Sequence, residues 1–202
     1  VYTGTPKWAE AQAATDVIIN QGGFSLVNSY LSLFGDRCPD QEVLLAIFID
    51  ANQAPRNIIG IRSLAGPHGN ALFGISTWNG ATAHQDFINK YENGDARKAQ
   101  WLTGAQPGGV TYDVNISSLT SAGIYEGARS AKYLPALPLA GNGSASNDFP
   151  VFRYADVLLM KAECLVRTGN AGAAKALVDQ IRSRAGLPAS GTNPTLNDIY
   201  DE

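Results

Sequence analysis

Residues 148–164, DFPVFRYADVLLMKAEC, decide the fold class of this chain. From Pro150 onward the apolar side chains recur every three or four residues, which predicts an amphipathic helix that ends near Arg167. Thr168-Gly169-Asn170 follows and predicts a tight break, with Gly169 ending this helix and Asn170 capping the next one. The expected buried face of the helix comprises Phe152, Ala155, Leu159, Ala162 and Val166.

A second helix is predicted directly after this break, over residues 171–185. Its expected buried face comprises Ala174, Leu177, Val178, Ile181 and Ala185. Two helices joined by so short a break pack antiparallel as a helical hairpin. The hairpin, with about 36 residues, has nearly the length of a tetratricopeptide repeat.

Near the start of the chain, residues 6–21 predict a further helix. Thr5 is its expected cap, and Pro6 suits its first position. This helix could be the second half of another helix pair. Its expected apolar face comprises Trp8, Ala11, Ala14, Val17 and Ile18.

The middle of the chain is less regular than its two ends. Residues 43–49, VLLAIFI, fit a buried strand, with a helix left open, and residues 57–62 could pair with them. A short helix is expected within residues 83–92, and brief strands at 101–102 and 110–112. Glycine and asparagine are frequent from 63 to 148, which is typical of long functional loops, and 141–147 is expected to be a flexible loop.

The composition excludes several classes of protein. The 202 residues are 45% hydrophobic and 16% charged, with a net charge of −3, which is unlike intrinsic disorder. The 15 basic residues argue against nucleic-acid binding, and no apolar run is long enough for a membrane span. We therefore predict a mainly α fold of tetratricopeptide-like helix hairpins (α/α), with a loop-rich region containing a few short strands.

Beyond the helical pattern, specific residues resemble those of the SusD/RagB family. The run RYADVLL begins at Arg153, Ala162-Glu163 and Gly169-Asn170 follow, and IRSRAGLP occupies residues 181–188. Weaker similarities lie at residues 11–24, 42–47 and 93–97, in the order that the family has them. The resemblance implies a scaffold of tetratricopeptide-like helix pairs and a more irregular half that carries the ligand site.

The resemblance also implies a function. Members are SusD-like surface lipoproteins of Bacteroidetes outer membranes that capture oligosaccharides, or peptides in RagB-like members. They pass the ligand to a SusC-like TonB-dependent transporter, are not enzymes and need no cofactor. Because the chain lacks an initial Met and stops early in a predicted helix, both ends are expected to be cut, with the lipid anchor outside it. The regions expected are a scaffold helix (1–24), a ligand-binding region (25–148) and a C-terminal hairpin with the start of another helix (149–202).

Trp78 and Asn79 are the first candidates for contact with a ligand. Sugar rings have an apolar C–H face and a rim of hydroxyls, so flat aromatic side chains and neutral amides suit them. We predict that Trp78 stacks on a sugar and that Asn79 bonds its hydroxyls; alternatively, Trp78 packs its loop onto the core. Asn70 and His68 are weaker candidates in the same region, as is His84.

Other polar residues have structural interpretations. Arg153 and Asp156 are expected to anchor the hairpin through charge-assisted hydrogen bonds. No metal site is predicted, although a loop calcium ion bound by Asp36, Asp40 and Glu42 stays open, and the two cysteines are expected to be free thiols.

Two other classes of function compete with glycan capture. The first is a tetratricopeptide-type scaffold that binds a protein or peptide in a helical groove. The second is a glycosidase, which needs two carboxylates flanking a sugar cleft. Carboxylates are present in the irregular region, at Asp86, Glu92 and Asp113, but no pattern pairs them.

Overall fold

A computed structural model describes residues 4–50, 53, 57–135, 137, 139 and 145–202 of the chain. The fold is mainly α, with about 40% of the residues helical, as predicted. Part of the expected loop at 141–147 lies outside the described residues. The α-helices are α1 (Trp8–Gln21), α2 (Ile59–Ser63), α3 (Gly66–Phe73), α4 (Gln85–Ile88), α5 (Tyr154–Arg167), α6 (Ala171–Arg184) and α7 (Leu196–Asp201).

Six short strands pair two by two. They are β1 (Val43–Ile47), β2 (Trp101–Leu102), β3 (Gly104–Gln106), β4 (Val110–Tyr112), β5 (Arg129–Ser130) and β6 (Phe149–Arg153). β1 pairs with β6, and the antiparallel pairs β2–β5 and β3–β4 form two further ribbons. Two 3₁₀ helices occupy Tyr30–Phe34 and Ala96–Gln100.

The chain divides into two compact units. The first unit comprises Val1–Tyr30, Pro39–Leu45 and Pro150–Glu202, and it holds α1, α5, α6 and α7. The second unit comprises Leu31–Cys38 and Ala46–Phe149, and it holds the three short helices α2, α3 and α4 with the β2–β5 and β3–β4 ribbons.

In the first unit, α5 and α6 form the predicted helix pair. Gly169 lies between them with a φ of +85°, a left-handed conformation that glycine adopts without strain. The α6 face is confirmed, because all five of its expected residues are buried. The shared core comprises Tyr154, Ala155, Leu158, Ala162, Leu165, Ala174, Leu177, Val178, Ile181 and Ile199.

The start of α5 differs from the prediction. Residues from Pro150 to Arg153 belong to strand β6, where Phe152 is 48% exposed, and the helix begins only at Tyr154. The carboxylate of Asp156 accepts a hydrogen bond from the backbone N–H of Arg153 at 2.9 Å, which fixes the helix start there. Pro150 therefore lies in a strand of a two-stranded ribbon, where its missing N–H is tolerated.

A fully buried carboxylate, that of Glu42, organises the first unit. It accepts hydrogen bonds from Nη1 of Arg184 at 3.0 and 3.1 Å and from the backbone N–H of Val27 at 2.7 Å. Nη1 of Arg153 lies 3.5 Å from the same carboxylate, so the anchoring role predicted for Arg153 is confirmed. Because guanidinium groups already surround Glu42, it does not suit the calcium site left open above.

Helix α1 starts later than predicted and buries a different face. It begins at Trp8, with Lys7 in the N-cap position, instead of at Pro6. The expected face is wrong, since Val17 is 55% exposed while Thr15 is buried. The many alanines around this helix leave its apolar face undefined, so contacts with α5, such as the ion pair of Asp16 with Lys161, decide which side is covered.

In the second unit, the apolar run at 57–62 is mostly helical. It contains most of α2, so the expected pairing with the strand at 43–47 is wrong, and β6 provides that partner. The short helix expected near 83–92 is confirmed as α4, and the two brief strands as β2 and β4. Two small cores support these elements, one around Ala65, Val110 and Tyr112 and another around Ala83, Ile88 and Ala128.

A further finding concerns the two cysteines. Cys38 and Cys164 are free thiols, as expected. Burial, and to a lesser degree the Asp148 carboxylate, raise the pKa of Cys38 to about 11.

Within the described ranges, no helix has both the length and the hydropathy of a membrane span.

Candidate functional site

Trp78 lies on the surface of the second unit, and 59% of its area is exposed. Its loop is fixed by backbone hydrogen bonds to the segment that contains α2. Trp78 N–H donates to the carbonyl of Ile61 at 3.0 Å, and Asn79 N–H donates to that of Leu64 at 2.9 Å. A large aromatic ring is therefore presented to solvent from a backbone that has little freedom.

Asn79 holds this loop through both atoms of its amide. Its Nδ2 donates to the carbonyl of Ile124 at 2.7 Å, and its Oδ1 accepts from Nε and Nη2 of Arg129 at 3.1 and 2.8 Å. Its φ of +51° is left-handed, a conformation that asparagine tolerates better than most residues. The structure thus gives Asn79 a structural role, in which its Oδ1 accepts two bonds and its Nδ2 donates one within the protein; its bonds to sugar hydroxyls stay a prediction.

Arg129 is the centre of this arrangement and is only 3% exposed. Besides the two bonds to Asn79, its Nη1 donates to the carbonyls of Glu126 and Gly127 at 2.7 and 2.8 Å, and its Nη2 donates to that of Ile124 at 2.8 Å. All five guanidinium N–H groups therefore have acceptors. This hydrogen-bond set ties the Trp78 loop to residues 124–127.

Beneath the guanidinium, Tyr112 and His68 continue the buried network. The Arg129 guanidinium carbon lies 4.9 Å from the centroid of the Tyr112 ring. The Tyr112 hydroxyl accepts from the N–H of Ala65 at 2.9 Å and lies 3.0 Å from Nδ1 of His68. Because this hydroxyl has one proton to donate, Nδ1 of His68 is its natural acceptor. Burial lowers the pKa of the His68 imidazole.

His68 is thus a core residue rather than a surface ligand contact. It is 1% exposed, so a sugar at the surface cannot reach it. Nothing in the local sequence distinguishes a buried histidine from an exposed one, because its neighbours are glycine, proline and asparagine. The prediction of direct contact with a ligand is therefore corrected for His68.

Asn70, by contrast, is exposed on α3. This helix lies against the residue before Trp78, since a Cβ added to Gly69 would approach Thr77 Cγ2 to 2.4 Å. Thr77 also donates its hydroxyl proton to the carbonyl of Ala65 at 2.7 Å. Asn70 and Trp78 are therefore the sequence neighbours of two residues in close contact, Gly69 and Thr77.

Ile124 and Arg129 were not predicted by the sequence analysis. The Ile124 side chain is 66% exposed, and its carbonyl accepts from Asn79, so an apolar side chain lies next to the Trp78 loop. Trp78, Asn70 and Ile124 together make up the candidate surface. An arginine within an irregular stretch of sequence was the available signal for Arg129, but it does not show which atoms that arginine meets.

Trp101 and His84 have packing and capping contacts of their own. Trp101 packs against Phe87 with ring centroids 5.6 Å apart, in agreement with a core role. The His84 side chain accepts from the N–H of Asp86 at 3.3 Å at the start of α4. Over the described ranges of the chain, no cluster of three or more His, Cys, Asp or Glu residues could hold a metal ion.

Comparisons with known proteins agree with the fold. The SusD family model matches residues 77–202, and no curated protein matches the chain. Among solved structures, a SusD superfamily protein from Parabacteroides distasonis is 22% identical with a TM-score of 0.71, covering 96% of this chain and 42% of its own.

Two other similar structures are of surface glycan-binding proteins. One is surface glycan-binding protein A from Bacteroides uniformis, 19% identical with a TM-score of 0.69, covering 95% of this chain and 40% of its own. The other is surface glycan-binding protein A from Bacteroides thetaiotaomicron in complex with laminarihexaose, 18% identical with a TM-score of 0.71, covering 95% and 45%. The chain thus spans less than half the length of these solved proteins.

Proposed function

The chain belongs to the SusD family, and on this premise we propose that the protein binds oligosaccharides without chemically altering them. The observation that carries this proposal is Trp78, a largely exposed tryptophan on a loop fixed by Asn79 and Arg129. Tryptophan is enriched at binding interfaces, because its ring offers a large apolar face and its N–H can donate a hydrogen bond.

The chemistry of the candidate surface suits a sugar. The indole ring offers a flat face for the C–H groups of a pyranose, and Ile124 extends the apolar area. The exposed Asn70 amide both donates and accepts hydrogen bonds, as the hydroxyls at the rim of a sugar require. A preformed loop also reduces the entropy lost on binding.

The comparisons support the ligand class. Two of the similar structures are surface glycan-binding proteins, and one of them contains laminarihexaose. By analogy, we place this protein at the surface of the bacterial outer membrane, attached by a lipid anchor beyond this chain. Delivery of the bound glycan to a SusC-like TonB-dependent transporter completes the proposal.

Peptide binding is the alternative, either at the same surface or in a groove of a tetratricopeptide-type scaffold. The helical pair α5–α6 alone would favour that function. The large second unit with its exposed tryptophan favours glycan capture instead, because arrays of helical repeats have no need of such a unit.

A screen of the protein against soluble polysaccharides and oligosaccharides tests the proposal. Affinity electrophoresis or calorimetry should detect binding to at least one neutral glycan, while an assay for new reducing ends stays at background. Binding to peptides but to no glycan would contradict the ligand class. Release of reducing ends by the protein would contradict the non-catalytic function.

A further inference from the structure

A cleft opens on the first unit, between residues 25–28 and the solvent-facing side of α6. Its volume is about 620 Å³, within the roughly 300–1,000 Å³ typical of small-molecule sites. Every residue that lines it belongs to the first unit, whereas Trp78 and its supports belong to the second. The proposed function does not use this cleft.

Arg184 contributes a buried donor to the cleft wall. Its side chain is 5% exposed, and its hydrogen bonds to Glu42 leave from Nη1. Its Nε is buried without a hydrogen-bond partner in the described part of the chain. Because buried N–H groups almost always have acceptors, this guanidinium has hydrogen-bonding capacity that the described residues do not use.

Three other side chains that line the cleft are uncharged and have unused hydrogen-bonding groups. Among the described residues, neither the Tyr154 nor the Ser183 hydroxyl forms a hydrogen bond, and the Asn28 amide forms none either. Tyr154 is otherwise buried, at 8% exposure, so its hydroxyl is its one polar group at the cleft. Hydroxyls and amides both donate and accept, which matches the hydroxyls of a saccharide.

The charges at the cleft are already paired. Arg184 is bonded to the Glu42 carboxylate, and Lys175 Nζ lies 2.5 Å from Oδ2 of Asp179. A charged ligand would have to compete with these pairs, so the cleft favours a neutral one. Leu26 and Ala176 supply apolar lining for the C–H face of a ring.

We propose that this cleft is a second saccharide site, which takes a short neutral oligosaccharide. Hydroxyl groups of the sugar exchange hydrogen bonds with Tyr154, Ser183 and Asn28, while its C–H groups rest on Leu26 and Ala176. The proposal stands whether or not Trp78 binds a glycan.

The test is an NMR titration of the ¹⁵N-labelled full chain carrying Trp78→Ala, so that the Trp78 surface does not contribute. Laminarihexaose, maltohexaose and cellohexaose are the probes, and a neutral tripeptide is the comparison. We expect at least one sugar to shift the amides of residues 25–28 and 176–184 in a saturable way at millimolar concentration.

Two further substitutions complete the design. Ala176→Trp fills the cleft, whereas Ala173→Trp changes an exposed alanine of the same helix that does not line it. In the Trp78→Ala background, Ala176→Trp should weaken cleft binding by at least about tenfold and Ala173→Trp should leave it unchanged. The proposal is overturned if none of the three sugars shifts the cleft amides, if both tryptophan variants weaken binding equally, or if only the tripeptide binds.

Discussion

Replacing Glu42 by Gln tests the buried centre of the helical unit. The carboxylate is 0% exposed and receives bonds from Arg184 and Val27, with Arg153 at 3.5 Å. Gln keeps the shape but loses the charge, and its NH₂ group would face guanidinium donors. Removing one member of a buried ion pair costs about 3–5 kcal/mol, because the remaining charge is left without its counterion.

The assay is equilibrium unfolding in urea and by heat. For a chain of this size, roughly 2–4 °C of melting temperature corresponds to each kcal/mol, so Glu42→Gln should lower the melting temperature by about 6–20 °C. Glu10→Gln is the control, since Glu10 is 66% exposed in its pair with Lys7, and such pairs contribute about 0–1 kcal/mol. Equal stability losses for Glu42→Gln and Glu10→Gln would refute the central role of Glu42.

Three further predictions concern the second unit. Arg129→Lys removes at least two of the five N–H donors that have acceptors. The free energy of unfolding, measured in urea, should therefore fall by about 2–3 kcal/mol. A loss under about 0.5 kcal/mol would contradict the hydrogen-bond network of Arg129. Only the thiolate form of a cysteine reacts with labelling reagents. With a Cys38 pKa of about 11, the labelling rate of Cys38 should therefore rise about tenfold per pH unit from pH 8 to 10. A rate that levels off near pH 9 would exclude this pKa. Gly127 and Gly109 both have a positive φ, which disfavours alanine at either position. At Gly127 an added Cβ would also lie 2.0 Å from the Thr82 hydroxyl, so Gly127→Ala should lower the melting temperature by more than Gly109→Ala. Equal losses would argue against that contact.

Sequence patterns predict the hairpin of the first unit well and its strands poorly. In α6, large and small apolar residues define one face, and all of its expected residues are buried. In α1, alanine occurs on several sides, so the pattern does not indicate which side packs. The pairing of β1 with β6 joins residues about a hundred positions apart, and neither turn chemistry nor periodicity predicts such a pair.

The candidate site was predictable only in part. Trp78 stands out because a tryptophan in a polar loop is unusual, and the structure exposes it. The roles of Asn79 and His68 depend on what reaches them from elsewhere in the fold, namely Arg129 and Tyr112. The role of Glu42 could not be predicted either. It lies at the start of an apolar run, and nothing in the neighbouring sequence indicates that Arg153 and Arg184 contact it.

Isothermal titration of the Trp78→Ala variant with the best-bound glycan tests the central claim most directly. Loss of the indole ring should weaken binding by at least about tenfold, since stacking and the apolar area of a tryptophan together contribute about 1.4 kcal/mol or more. Leu119→Ala is the control, because Leu119 is 84% exposed in the same unit but lies outside the candidate surface. The account predicts a large loss for Trp78→Ala and none for Leu119→Ala; unchanged affinity in Trp78→Ala would contradict it.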